Sequence, residues 1–224
     1  MLRKQTFDNN IYMKLFRWAY LFLISNLCFL VAILPFFLAA CLLAIDIRNL
    51  PFFLLGLLCF GPALSALFVV INTFKEEQEV EPVRSFFKAY KTFGLRGMIF
   101  WLPCWLGAII TITDSLFFAK FSYGQWLIPF FLLLLLILTG WSIHCLYFQV
   151  RNPDASIKSV GRIAFYYTLR KWYASLLNIV LFSLMLLLMM LKPQFGFILT
   201  PALFAGIIYL NAGKLHMPKQ TAVD

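Results

Sequence analysis

Apolar residues run almost unbroken through six stretches, residues 16–45, 52–74, 95–118, 126–150, 172–191 and 195–211. A helix needs about 20 apolar residues to cross a hydrocarbon core about 30 Å thick. The pattern therefore predicts an all-α, polytopic transmembrane helix bundle of about six spans. Two intervening segments read differently. In 82–94, Val83, Phe86, Phe87, Tyr90 and Phe93 recur at helical spacing on one face while Arg84, Lys88 and Lys91 group on another. In 153–170 a weaker pattern of the same kind sets Ile157, Val160, Ala164 and Tyr167 against Lys158 and Arg162. Both are expected to be amphipathic connecting helices at a membrane surface or against partner helices.

Local signals refine these elements. Lys75 to Glu81 is a solvated turn that holds all four glutamates, and Pro82 can open the next helix because its missing N–H has no intrahelical partner at N1. Arg151-Asn152-Pro153-Asp154 suggests a second helix start, with Asn152 at the N-cap and Pro153 at N1. Asp46 to Asn49, Asp114 to Tyr123 and Lys192-Pro193-Gln194 form short turns, and the tail from Gly213 is polar. Prolines lie within the apolar runs at Pro35, Pro62, Pro103 and Pro201, where a kink or break is expected. Gly61-Pro62-Ala63-Leu64 echoes Thr200-Pro201-Ala202-Leu203, and two readings stand open, an internal duplication or the chance recurrence of proline in membrane helices. Two readings of the helix-break motif Gly61, Pro62, Thr200 and Pro201 stand open: broken helices lining a substrate path, or bends whose freed carbonyls find neighbours.

Composition removes the soluble alternatives. With 62% hydrophobic and 12% charged residues, the 224-residue chain lacks the polar groups to clothe a soluble domain. The net charge of +10 comes from short basic clusters beside apolar runs, not from a continuous basic surface, so no nucleic-acid partner is expected. Of 19 Lys and Arg, only Arg48, Lys120 and Lys192 fall in alternate turns. The rest lie before the first span, in the two amphipathic connections and in the tail. By the positive-inside rule, both termini and both amphipathic connections are cytoplasmic. Leu38-Ala39-Ala40-Cys41 resembles a lipoprotein cleavage box, but the apolar run continues past Cys41 and is too long for a signal peptide.

Candidate chemistry is sparse. Cys28, Cys41, Cys59, Cys104 and Cys145 are scattered through apolar runs without CxxC spacing, which suits packing better than disulfides or metal. His144 is the one ionisable side chain well inside a span and reads as a hydrogen-bonded packing residue, while His216 lies in the tail. Asp46 and Asp114 stand at outer helix ends, which argues against an ion-coupled carrier. No metal-ligand spacing, nucleophile elbow, P-loop or dinucleotide fingerprint occurs, so no enzyme activity, cofactor or metal is expected. The basic residues Arg84, Lys88, Lys91, Lys158 and Arg162, with Phe86, Phe87 and Tyr90, are the candidate contacts for anionic lipid headgroups or a partner protein.

Gly61-Pro62-Ala63-Leu64-Ser65-Ala66-Leu67, then the charged turn and Phe86-Phe87-Lys88-Ala89-Tyr90-Lys91, resembles the YesL family of bacterial integral membrane proteins, domain of unknown function 624. The likeness extends over most of the chain, to the closing Pro-Ala-Leu span, and departs at Thr200, where members often carry glycine. It implies a protein of the bacterial cytoplasmic membrane. Family genes often lie beside carbohydrate ABC uptake genes, so it also implies an accessory or regulatory role there. The partners expected on this basis are ABC transporter subunits or a second copy of the chain. The competing expectation is a small stand-alone facilitative transporter or channel.

Overall fold

The computed structural model describes residues 11–77, 81–121 and 123–214. Arg3, Lys4, His216, Lys219 and residues 78–80 of the acidic turn lie outside the described residues. Among the described residues the chain forms α1 (Ile11–Ala32), α2 (Leu34–Leu42), α3 (Leu50–Leu57), α4 (Phe60–Glu77) and α5 (Pro82–Phe118). It continues with α6 (Ile128–Arg151), α7 (Ile157–Arg170), α8 (Trp172–Leu191), α9 (Pro193–Leu199) and α10 (Pro201–Lys214). The fold is an all-α helix bundle, and its apolar helices mark a membrane-embedded protein.

Three helices are continuous candidate spans, and three further candidates are bent helix pairs. Pro82–Phe118, Gly124–Arg151 and Trp172–Leu191 are each long and apolar enough to cross a membrane. The other three are bent pairs: Phe16–Ala32 with Leu34–Leu42 at 83°, Ile47–Leu57 with Phe60–Glu77 at 45°, and Pro193–Leu199 with Pro201–Lys214 at 43°. Each pair counted as one span gives the six expected. The first break follows from Pro35, which stands in the first turn of α2 and cannot supply an N–H to α1. Pro62 and Pro201 likewise lie in the first turns of α4 and α10, so each sits just past a break. Pro103 alone is carried inside a continuous helix.

Several boundaries differ from those the sequence suggests: α4 continues through Lys75 to Glu77, α5 through Asp114 to Phe118 and α10 to Lys214, and two further differences are larger. Residues 82–94 and 95–118 form one helix of 37 residues, which at 1.5 Å per residue is about 55 Å long and exceeds the hydrocarbon core. The reason is local: nothing between Phe93 and Arg96 breaks a helix, since Gly94 costs only about 1 kcal/mol relative to alanine. Asn152 closes α6, its N–H bonding the Phe148 carbonyl at 2.9 Å, and Ser156 takes the N-cap of α7 by accepting the Ser159 N–H at 3.2 Å. Serine is well suited to that cap, so α7 begins at Ile157 and not at Pro153.

The core condenses around Phe60, the first residue of α4. Its ring meets Phe29 of α1, Phe36 of α2 and Phe182 of α8 edge-on, with centroids 5.7, 5.1 and 6.3 Å away. Such T-shaped contacts satisfy the ring quadrupoles. The α4–α5 hairpin is held close by small residues. A Cβ on Gly61 would lie 2.7 Å from the Gly97 carbonyl oxygen, so glycine is what lets these backbones meet. Cys28, Cys104 and Cys145 are buried as expected, but Cys59 is only partly covered and Cys41 is exposed. Cys41 faces outward because α2 turns its Phe36 and Ala39 face to the core.

Candidate functional site: the basic edge of α4 and α5

The end of the bundle where α4 finishes and α5 starts gathers Lys75, Glu76, Glu77, Glu81, Arg84, Lys88 and Lys91. Glu76 of α4 accepts from the Arg151 guanidinium at 2.7 Å, and the same Arg151 nitrogen donates to Asn72 Oδ1 at 3.0 Å. Tyr209 of α10 donates its hydroxyl to that Asn72 oxygen as well. These contacts pin the ends of α4, α6 and α10 together. Trp18 of α1 closes edge-on over Phe74 at 4.6 Å.

Beside this cluster the two helices of the hairpin diverge into a groove of about 550 Å³. Its apolar floor is Val69, Ala89 and Phe93, and its rim carries Glu77, Glu81, Arg84 and Lys88 with the hydroxyls of Thr73, Ser85 and Thr92. That volume lies within the range of ligand pockets. Arg84 approaches Glu81 at 3.7 Å, with the two side chains 85% and 77% exposed. An ion pair so solvated contributes little, so Arg84 remains available to an external group.

The candidates in this helix fall on both of its faces. Phe86 is fully buried, with Pro82 and Ala89 beside it, so this face packs inside the protein. Tyr90 is half-buried and stacks on Phe86. Arg84, Phe87, Lys88 and Lys91 are exposed. In α7, Val160 and Ala164 are buried against the bundle, while Lys158 and Arg162 are exposed.

The Gly61-Pro62 and Thr200-Pro201 breaks are closed by hydrogen bonds from other helices. Trp105 and Trp101 of α5 donate their indole N–H groups to Leu54 and Leu57, the carbonyls at the end of α3, at 2.6 and 2.9 Å. At the second break, Asn26 of α1 donates to the Ile198 carbonyl at 2.7 Å and accepts the Ala202 N–H at 2.6 Å. Thr200 donates its hydroxyl to the Gly196 carbonyl at 2.6 Å. In a bilayer such groups must find partners within the protein, and the Leu54, Leu57 and Ile198 carbonyls and the Ala202 N–H do. Gly61 and Pro62 are buried in close contact with α5.

Several polar residues that matter were not legible as such. Asn26 sits in an apolar run beside Ser25, with no motif or spacing to set it apart. Ser65 accepts from Gln149 at 2.6 Å and donates to the Gly61 carbonyl at 2.8 Å, all three groups being buried. Arg96, which the charge pattern treats as one more cation, donates to the carbonyls of Pro153 and Ala155 and so ties the α6–α7 connection to α5. His144 is buried with Nε2 3.0 Å from Ser175 Oγ, a packing contact between α6 and α8. No group of three or more His, Cys, Asp or Glu side chains able to hold a metal occurs among the described residues.

Residues 18–115 match the family model described as "Protein of unknown function, DUF624". The resemblance to the YesL family drawn from the Gly-Pro-Ala run and the Phe-Phe-rich helix is consistent with that match. The matched region runs from α1 to near the end of α5, so it includes the groove and the first two breaks but neither α7 nor the Thr200-Pro201 break. No curated protein and no solved structure matches the chain.

Proposed function

With residues 18–115 matching a family of unknown function, we propose that this membrane protein is an accessory or regulatory partner of a carbohydrate ABC-type uptake system. It engages that partner through the basic edge of α5, in the bacterial cytoplasmic membrane. The observation that carries this reading is the exposed stripe of Arg84, Lys88 and Lys91 beside a groove, on a helix about 55 Å long whose opposite face is anchored by Phe86. A charged, exposed edge suits docking, because electrostatic complementarity steers encounter and fixes register. The carbohydrate assignment rests on the resemblance to the YesL family. The orientation, with both termini, residues 82–94 of α5 and α7 on the cytoplasmic side, rests on the positive-inside rule.

The alternative, a stand-alone facilitative transporter, would need the helix breaks to present free backbone groups to a path. Here the Leu57, Leu54 and Ile198 carbonyls beside the two breaks are taken by Trp101, Trp105 and Asn26, which favours the docking reading.

The test is a detergent pull-down of the tagged protein from native membranes with quantitative identification of its companions. The expected result is recovery of ABC permease or solute-binding subunits from the wild type, and their loss from an Arg84→Glu, Lys88→Glu, Lys91→Glu variant that still inserts. Recovery of the protein alone, combined with sugar flux into proteoliposomes holding only this chain, would overturn the docking reading in favour of transport.

A further inference from the structure

The α7 helix is held to the bundle by one face and leaves another uncovered. Val160, Ala164 and Thr168, spaced four apart, are buried, and the Trp141 indole of α6 donates to the Gly161 carbonyl at 2.9 Å. The opposite face carries Phe165, Tyr166 and Leu169, each about half exposed, interleaved with exposed Lys158, Arg162 and Arg170. Arg170 lies over the Tyr166 ring at 5.3 Å from its centroid. The helix contains no acidic residue, and the nearest one along the chain is Asp154, three residues before it begins. This second apolar stripe is absent from the pattern that marks Val160 and Ala164 as the helix's inner side.

The level of this face relative to the membrane follows from what comes next. After Lys171 the chain enters α8, a 20-residue span of mean hydropathy 2.5, whose first residues Trp172 and Tyr173 are 66% and 57% exposed. Exposed Trp and Tyr at the mouth of a span mark the headgroup level of a bilayer. The α7 helix joins there directly, so its outward face meets the same layer. Aromatic and aliphatic side chains interleaved with cations and free of carboxylates match the boundary between acyl chains and phosphates.

We propose that the outward face of α7 binds anionic phospholipid, with Lys158, Arg162 and Arg170 on the headgroup phosphates and Phe165, Tyr166 and Leu169 in the acyl boundary beneath them. This surface is separate from the α5 edge, and it stands or falls independently of the docking reading. The test is native mass spectrometry of the purified full-length protein in neutral detergent with equimolar phosphatidylglycerol and phosphatidylcholine. The expected result is preferential retention of phosphatidylglycerol. A Lys158→Gln, Arg162→Gln, Arg170→Gln variant should lose that preference, by on the order of 100-fold in relative affinity if each cation contributes as basic residues at a membrane surface do. The charge-preserving Lys158→Arg, Arg162→Lys, Arg170→Lys variant should keep it, which separates charge from any fault in folding. Preference undiminished in the glutamine variant would overturn the proposal. So would loss of preference only in an Arg84→Gln, Lys88→Gln, Lys91→Gln control, which would assign the lipid to α5.

Discussion

Asn26 in the middle of α1 accepts the backbone N–H of Ala202, the second residue of α10, at 2.6 Å. The two lie 176 positions apart in the chain. Through its other amide atom Asn26 also reaches the Ile198 carbonyl on α9, so one buried side chain spans a break in the helix. An Asn26→Leu substitution removes both bonds and leaves a buried donor and acceptor unpaired, at about 1–3 kcal/mol each. The expected outcome in a detergent thermal melt is a large drop in midpoint, whereas Leu27→Ala, next to it on an exposed position, should change the midpoint little.

The indole pair at the break between α3 and α4 should behave similarly but more mildly. Trp101→Phe and Trp105→Phe keep most of the ring volume while removing the donors to Leu57 and Leu54. Each is expected to cost on the order of 1 kcal/mol. The effect should appear as faster hydrogen exchange localised to α3 and the start of α4. Exchange unchanged there would mean that the break is held by packing around Phe60 instead.

Two glycines on neighbouring helices predict opposite signs. In Gly61→Ala the new methyl would stand 2.7 Å from the Gly97 carbonyl oxygen, forcing α4 and α5 apart at a cost of about 1–3 kcal/mol. In Gly94→Ala the nearest atom is Pro62 Cβ at 3.9 Å, an ordinary contact, and the substitution should stabilise α5 by up to about 1 kcal/mol. Comparison of the two melting curves checks both at once.

Arg96 makes the connection between α6 and α7 part of the α5 surface, through the Pro153 and Ala155 carbonyls and a position 5.8 Å from the Phe100 ring centroid. An Arg96→Lys variant keeps the charge but loses the planar fork that reaches two carbonyls at once. Proteolysis within Asn152–Ser156 should accelerate in that variant, with α6 itself unaffected.

Much of the architecture follows from one-dimensional pattern. Six apolar runs of span length and the prolines within them required a membrane helix bundle with bent segments, because a bilayer admits few other solutions for a backbone without water. Pro82 opens a helix as its position predicts. Boundaries set by absence were harder to read: the junction near Leu95 looked like the start of a new span, yet nothing there ends a helix. Side-chain caps also compete locally, as Ser156 displaced Asn152 and Pro153 as the origin of α7.

The candidate site was legible in part. The spacing of Arg84, Lys88 and Lys91 placed them on one exposed stripe, but it grouped Phe86 with Phe87, which the fold separates into buried and exposed. Helical periodicity says which residues share a face, not which neighbour that face meets. The same limit hid the second, outward stripe of α7.

The sequence by itself determined that this chain is helical, that it lives in a membrane, and that prolines stand beside its bent helix pairs, because hydropathy, proline and charge act over a few residues. Only the tertiary structure decided how the interruptions are closed, which faces are free, and that Asn26, Trp101, Trp105, Ser65, Gln149 and Arg96 hold the bundle together. The physical reason is that a hydrogen bond between distant segments depends on both partners arriving at one place. Nothing in either segment alone records the other.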